Sequence, residues 1–294
     1  MTDIPLSLEQ FDFEYPSNLV AQEPAKPRGS SRLLVVRSNR EDESVMFADL
    51  DNYLKPGDVL VLNETKVLKA RVQARRPTGG KVELLFERPV DGEGELPHAR
   101  RWLALAKPAK SLKAGGELIC DNHKLMVGPR HGMFVEIELP VDPDVFFSAV
   151  GSLPLPPYIT RGAADSDDQD YQPVFASEIG AVAAPTASLH FTQSHLRRLV
   201  ERGIKLTSLV LHVGAGTFLP VRQEHASDIR EHQMHCERYD LPLQTIETIE
   251  NAKNEGRRIV AVGTTAVRAL ESYGVGGQRQ GDTSLFIYPG YKFR

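Results

Sequence analysis

Between residues 57 and 140, apolar and polar positions alternate in short runs (VLVL, ARVQA, KVELLF, WLALA and MFVEIEL), each bounded by glycine, proline or charged residues. A period of two puts every second side chain on one face, so these runs predict half-buried antiparallel strands that close into a small barrel. Beyond 140 the period lengthens. Asp142-Pro143 opens a short apolar helix, VFFSAVG, ending at Gly151. SHLRRLVERG at 194–203 reads as a helix stopped by Gly203, ahead of the continuous apolar strand IKLTSLVLHV. LPLQTIETIENAKNEG has amphipathic helical spacing closed by Gly256, and RRIVAVG after it reads as a further strand. Strands alternating with helices predict an α/β sheet. The expected fold is an α/β main domain, a layered sheet with helices built from 1–60 and 145–294, interrupted by a small antiparallel β-barrel domain over 61–144. The acidic stretch GAADSDDQD at 162–170 has few apolar groups and reads as a mobile loop.

A chain of 294 residues with 41% hydrophobic content can bury the cores that two domains require. No apolar run approaches the ~20 residues that span a bilayer, and MTDIPLSLEQ lacks the basic and apolar regions of a leader, so a cytoplasmic protein with no membrane partner is expected. Cys120 and Cys236 form no CxxC spacing, which argues against a disulfide framework or a thiolate zinc site. The net charge of −4 conceals an uneven distribution. From Lys66 to Lys113, twelve Lys and Arg residues, among them Arg71, Arg75, Arg76 and Lys81, face only five Asp and Glu residues. Such a segment suits a nucleic-acid backbone, with a solvated strand face as the alternative.

Two segments mix small residues with Thr and His as a pocket wall does, GAVAAPTASLHFT at 180–192 and LVLHVGAGTFLPV at 209–221. Gly214-Ala215-Gly216 follows a strand but lacks the third glycine of a dinucleotide fingerprint, Leu219 standing there, so only close backbone approach to a ligand is inferred. In VGTTAVRALES a helix starting near Thr264 or Thr265 offers free amides, and Thr264, Arg268 and Glu271 share one face while Val267 and Leu270 point to the core. An exposed Arg–Glu pair is the alternative there. His225, His232, His235 and Glu237 raise a metal-assisted hydrolase as a rival class, yet their spacing matches no HExxH pattern. If 232–237 is extended, His232 and His235 face opposite ways while His235 and Glu237 share a face, so a hydrogen-bonded pair is expected and no metal site is assigned. His190 and His212 read either as pocket groups or as core histidines. LPLPPYITR at 153–161 is a stiff connector, with Tyr158 and Arg161 as candidates to stack on and contact an extruded base.

These motifs, with FDFEYP at 11–16, PGDVLVLNETKVLKAR at 56–71, HQMHCE at 232–237 and FIYPGYKF at 286–293, resemble in order the S-adenosylmethionine:tRNA ribosyltransferase-isomerase family of queuosine biosynthesis. The resemblance implies transfer of the ribosyl part of S-adenosylmethionine to the aminomethyl group of a 7-deazaguanine at the tRNA wobble position, with adenine and methionine released. S-adenosylmethionine is then a co-substrate and no prosthetic group is expected. The partner is tRNA, the protein a monomer. A base for the acidic 5′ carbon, an acid for adenine and positioning for two substrates are needed. The implied proton-transfer candidates are His212, His235 and Glu237. Thr186, His190, Gly214, Gly216, Thr217, Thr264, Thr265 and Arg268 are the implied contacts to S-adenosylmethionine, Arg268 forking onto its carboxylate. Tyr158, Arg161, Arg71, Arg75, Arg76 and Lys81 are the implied tRNA contacts. A non-catalytic RNA-binding module is the third class. Ser188 replaces a usual Gly of the family's PTAGLHF motif, a strained choice if φ is positive there, and Pro173 replaces a usual Thr. The family also continues past the position of Arg294 through a TNFHLP-containing segment.

Overall fold

The computed structural model describes residues 5–90, 98–110, 112–219 and 226–294. A hairpin of β1 (Arg32–Val35) and β2 (Glu43–Met46) precedes β3 (Val59–Asn63) and the short β4 (Thr65–Val67). Next come β5 (Arg71–Arg75), β6 (Lys81–Pro89), β7 (Arg101–Lys107), β8 (Glu117–Cys120), β9 (His123–His131) and β10 (Phe134–Glu138). The chain then runs through α1 (Pro143–Val150), β11 (Gly151–Ser152), α2 (Asp167–Asp170), β12 (Glu178–Ala181), α3 (Gln193–Glu201) and β13 (Lys205–Leu211). It ends with β14 (Glu237–Asp240), α4 (Leu243–Asn254), β15 (Ile259–Ala261), α5 (Gly263–Gly276) and β16 (Gln280–Thr283).

The main sheet has the order β15-β3-β13-β14-β16, with β15 and β13 parallel to β3, β14 antiparallel to β13, and β16 antiparallel to β14. All five residues of β3 are buried. Val59 and Val61 pack with Leu209, Leu211, Ile249 of α4 and Ala269 of α5, while Leu60 and Leu62 pack with Leu196 and Leu199 of α3. Cover on both faces is why this strand reads as an unbroken apolar run. In the barrel the order is β5-β6-β7-β10-β9-β8, and β8 returns to β5 through Arg75 and Ile119, closing the ring. Its interior holds Leu84, Phe86, Trp102, Leu118, Leu125 and Ile137, with Phe147 of α1 set 5.1 Å from Phe86. Val182 and Ala215, from the main-sheet part, join the same cluster.

Several expectations shift. β3 belongs to the main sheet and β4 pairs with β12, so the barrel starts at Arg71 rather than at 61. The acidic stretch is not a bare loop. It contains α2, and its carboxylates are met by cations, Asp167 by Arg161, Asp168 by Lys69 and Asp170 by Lys26. Residues 232–236 are not a strand; the extended run begins at Glu237. Ser188 lies in a 3-10 turn over Thr186–His190 and has no positive φ, so the anticipated strain does not arise. Gly203 and Gly256 take the positive φ expected of helix stops, whereas Gly151 is extended. Among the described residues no helix is long and apolar enough to cross a membrane.

Candidate active site

The pairing of β6 with β7 slips between Phe86 and Arg88, which makes Glu87 the extra residue of a β-bulge. Phe86 stays in the barrel core while Glu87 leaves the ladder and lines a cleft of about 790 Å³ between the barrel and the carboxyl end of β13. There its Oε2 accepts a 2.6 Å hydrogen bond from the Ala215 amide. The preceding amide, Gly214, donates at 2.9 Å to Oε1 of Glu237 at the start of β14. Two consecutive amides thus hold two carboxylates side by side. A Cβ on Gly214 would overlap the Glu87 carboxyl, and one on Gly216 would overlap the His235 ring, so both glycines are required by close approach.

The electrostatics divide the pair. Glu87 is 8% exposed, and burial, reinforced by the Glu237 charge, pushes its carboxyl up to about 7 despite the Ala215 amide. Burial also raises Glu237, but Arg268 opposes it with a 2.5 Å contact from Nη1 to Oε2. Nη2 of Arg268 donates to the carbonyls of His235 and Thr283 at 2.7 and 2.9 Å. The fork expected of Arg268 onto a carboxylate is not formed: one nitrogen meets a carboxylate, that of the protein's own Glu237, and the other meets two backbone carbonyls. Neither Arg268 nor Glu271 is exposed, and Glu271 accepts from Tyr291 and the Arg294 amide; Leu270 packs against the core as expected, together with buried Ala269, whereas Val267 is half-buried outside the core clusters.

His212 follows β13 directly and lines the same cleft. Its Nδ1 lies 2.9 Å from Thr65 Oγ1, its ring sits against Gly180, and burial pushes its pKa down to about 4, leaving a neutral imidazole.

Thus His212, Gly214 and Glu237 meet in one cleft, with His235, Gly216 and Arg268 directly behind. The remaining candidates lie elsewhere. Thr186 and His190 sit on the 3-10 turn whose Ala187 packs on Gly263, next to exposed Thr264 and to Thr265, whose buried Oγ1 has no partner among the described residues. His190 packs against Phe47 at 5.1 Å, and Thr217 is exposed. Tyr158 is 52% exposed, but Arg161 is occupied: it forks onto Asp167 and pairs with Glu23, a correction to its expected availability for phosphate. Arg71 donates to the Leu155 carbonyl, and exposed Arg75 and Lys81 face each other across the β5–β6 hairpin, with Arg76 in its turn. No three His, Cys, Asp or Glu side chains among the described residues are grouped to hold a metal; His225, like Asp91, Glu93 and Glu95 of the charge count, lies outside them.

Sequence reasoning missed Glu87 and Thr65. For Glu87 the available signal was an acid at the inward end of an apolar strand, in KVELLFERP.

A proton-holding carboxylate beside an ion-paired one and a neutral imidazole, in a cleft between two folded parts, is the apparatus of an enzyme. The family model described as queuosine biosynthesis protein matches residues 8–294, and the chain belongs to that family. The S-adenosylmethionine:tRNA ribosyltransferase-isomerase of Azoarcus sp. (strain BH72) is 44% identical over 98% of this chain and 82% of its own length. That of Acidithiobacillus ferrooxidans is 45% identical over 97% and 82%. The solved S-adenosylmethionine tRNA ribosyltransferase of Thermotoga maritima is 30% identical, covering 97% of this chain and 81% of that one, with a TM-score of 0.47.

Proposed function

We propose that the protein transfers and isomerises the ribosyl part of S-adenosylmethionine onto 7-aminomethyl-7-deazaguanine at the tRNA wobble position, forming epoxyqueuosine and releasing adenine and methionine. The observation that carries this reading is the 44% identity over 98% of the chain to an enzyme of that name. The cleft is compatible with it. Its walls carry Glu64, Glu178, Asp240 and Asp282, which suit a sulfonium cation, and about 790 Å³ matches the volume of small-molecule sites. S-adenosylmethionine enters as co-substrate. No prosthetic group is assigned, and the reaction occurs in the cytoplasm, where tRNA is.

On this reading His212, held by Thr65, presents a neutral imidazole to the substrates, and Arg268 positions Glu237. Thr186, His190, Thr217, Thr264 and Thr265 are the proposed polar contacts to the nucleoside or the target base. Exposed Tyr158 is the proposed stacking platform for a base taken out of the RNA.

Adenine release from S-adenosylmethionine is the direct assay. The expected result is release that requires tRNA carrying the aminomethyl-deazaguanine and matches modified tRNA one for one. Hydrolysis that proceeds without tRNA and stops with a chelator would overturn the proposal in favour of a metal-assisted hydrolase.

A further inference from the structure

We propose that Glu87, delivered into the cleft by the β6 bulge, is the catalytic acid that protonates adenine as it leaves. This rests on the ribosyl-transfer reading above. Three features of the fold converge on this one side chain. The bulge takes it out of the β-ladder, where the alternation of β6 would have left an ordinary surface carboxylate. The Ala215 amide fixes one oxygen at 2.6 Å, so the other, which lies over Gly214, is the one that remains for a substrate. The neighbouring carboxylate is paired with Arg268, which favours its charged form and leaves Glu87 as the member of the pair that carries a proton.

The surroundings hold that proton in place. Glu237 faces Glu87 across the two amides and disfavours a second negative charge. Arg88 on the same strand acts in the opposite sense, while His212 and Cys236 line the cleft uncharged. Near pH 7 about half of the molecules therefore present Glu87 to the substrate as a carboxylic acid, and most do below it.

The step balances. The C1′–N bond to adenine breaks with its electron pair moving onto adenine, which takes the proton of Glu87 and leaves as the neutral base. The amine of the deazaguanine supplies the electron pair of the new C1′–N bond, and the surplus proton on that nitrogen passes to the Glu87 carboxylate, restoring the acid.

Glu87→Gln keeps the shape and the acceptor for Ala215 but has no proton to give. The variant should fold and bind S-adenosylmethionine within about twofold of wild type, while adenine formation with tRNA falls by about 100-fold or more. Wild-type kcat should decline as pH rises through about 7, and the variant should lack that limb. A kcat within about threefold of wild type, or an unchanged alkaline limb, overturns the proposal. Difference infrared spectra of wild type against Glu87→Gln test the acid without turnover. A protonated carboxyl band that disappears near pH 7 is expected, and its absence at pH 6 overturns the proposal even in a protein that proves to have another activity. Failure of wild type to release adenine with a normal carboxyl band would instead count against the ribosyl-transfer reading.

Discussion

Glu87 and His212 line one cleft with opposite proton preferences, and that opposition sets how stability responds to pH. Glu87 has its folded pKa raised from 4.5 to about 7, so the folded state binds more protons than the unfolded chain between those values. Stability from this group is therefore intact below about 4.5 and is lost as pH rises to about 7. His212 is lowered from 6.5 to about 4, so the unfolded chain binds more protons in that window and stability falls as pH drops through it. At about 1.4 kcal/mol per unit, each effect is worth roughly 3 kcal/mol, and in wild type they largely cancel around pH 5 to 6. Urea unfolding against pH should expose them separately. Glu87→Gln should exceed wild type in stability by roughly 2–3 kcal/mol above pH 7, with the gap closing towards 4.5; His212→Gln should soften the acid-side loss. Curves parallel to wild type would refute both assignments. Arg268→Ala leaves Glu237 buried without its partner, so a loss of about 3–5 kcal/mol is expected, largely restored by adding Glu237→Gln. An Arg268→Ala protein as stable as wild type would mean that the pair contributes nothing to the fold.

The elements follow the sequence closely where one local period decides them. β3 reads as an unbroken apolar run because both faces are covered, and β5 alternates because only one is. The site was less legible because its geometry comes from contacts that no period encodes. Glu87 depends on a register slip against β7, Arg268 meets a carboxylate 31 residues away, and the acidic α2 is ordered by cations on other segments. GAG at 214–216 reads in the sequence as a place where the backbone approaches a ligand closely, but what approaches is the protein itself, Glu87 on one glycine and His235 on the other. Gly214→Ala tests this coupling between β6 and the loop after β13. Its Cβ would displace the Glu87 carboxyl, so a loss of about 1–3 kcal/mol together with a fall in adenine release is expected from paired urea and activity measurements. Wild-type values in both would show that the loop and the bulge are not locked together.

Across the whole molecule, we propose that the acidic cleft and the basic hairpin divide the work of holding two substrates. The positive excess of residues 66–113 is smaller in the fold than in the sequence, because Lys69, Arg100 and Arg101 meet Asp168, Asp142 and Glu136. Arg75 and Lys81 are exposed across from each other at the far end of β6, with Arg76 in the turn between them. Six residue steps along the strand lead from Lys81 to Glu87, a span of about 20 Å, enough for backbone phosphates to rest on the hairpin while one extruded base reaches the cleft. Each phosphate contact releases counterions, so an Arg75→Ala/Arg76→Ala variant should bind tRNA more weakly at low salt. Its slope of log affinity against log salt should also be flatter by about 1.4–1.8. S-adenosylmethionine binding by the same protein should not change, because the acidic cleft is untouched. If the variant and wild type give superimposable salt titrations, the hairpin is a solvated surface and the tRNA backbone must dock elsewhere, with the exposed Arg197 on α3 the next position to remove.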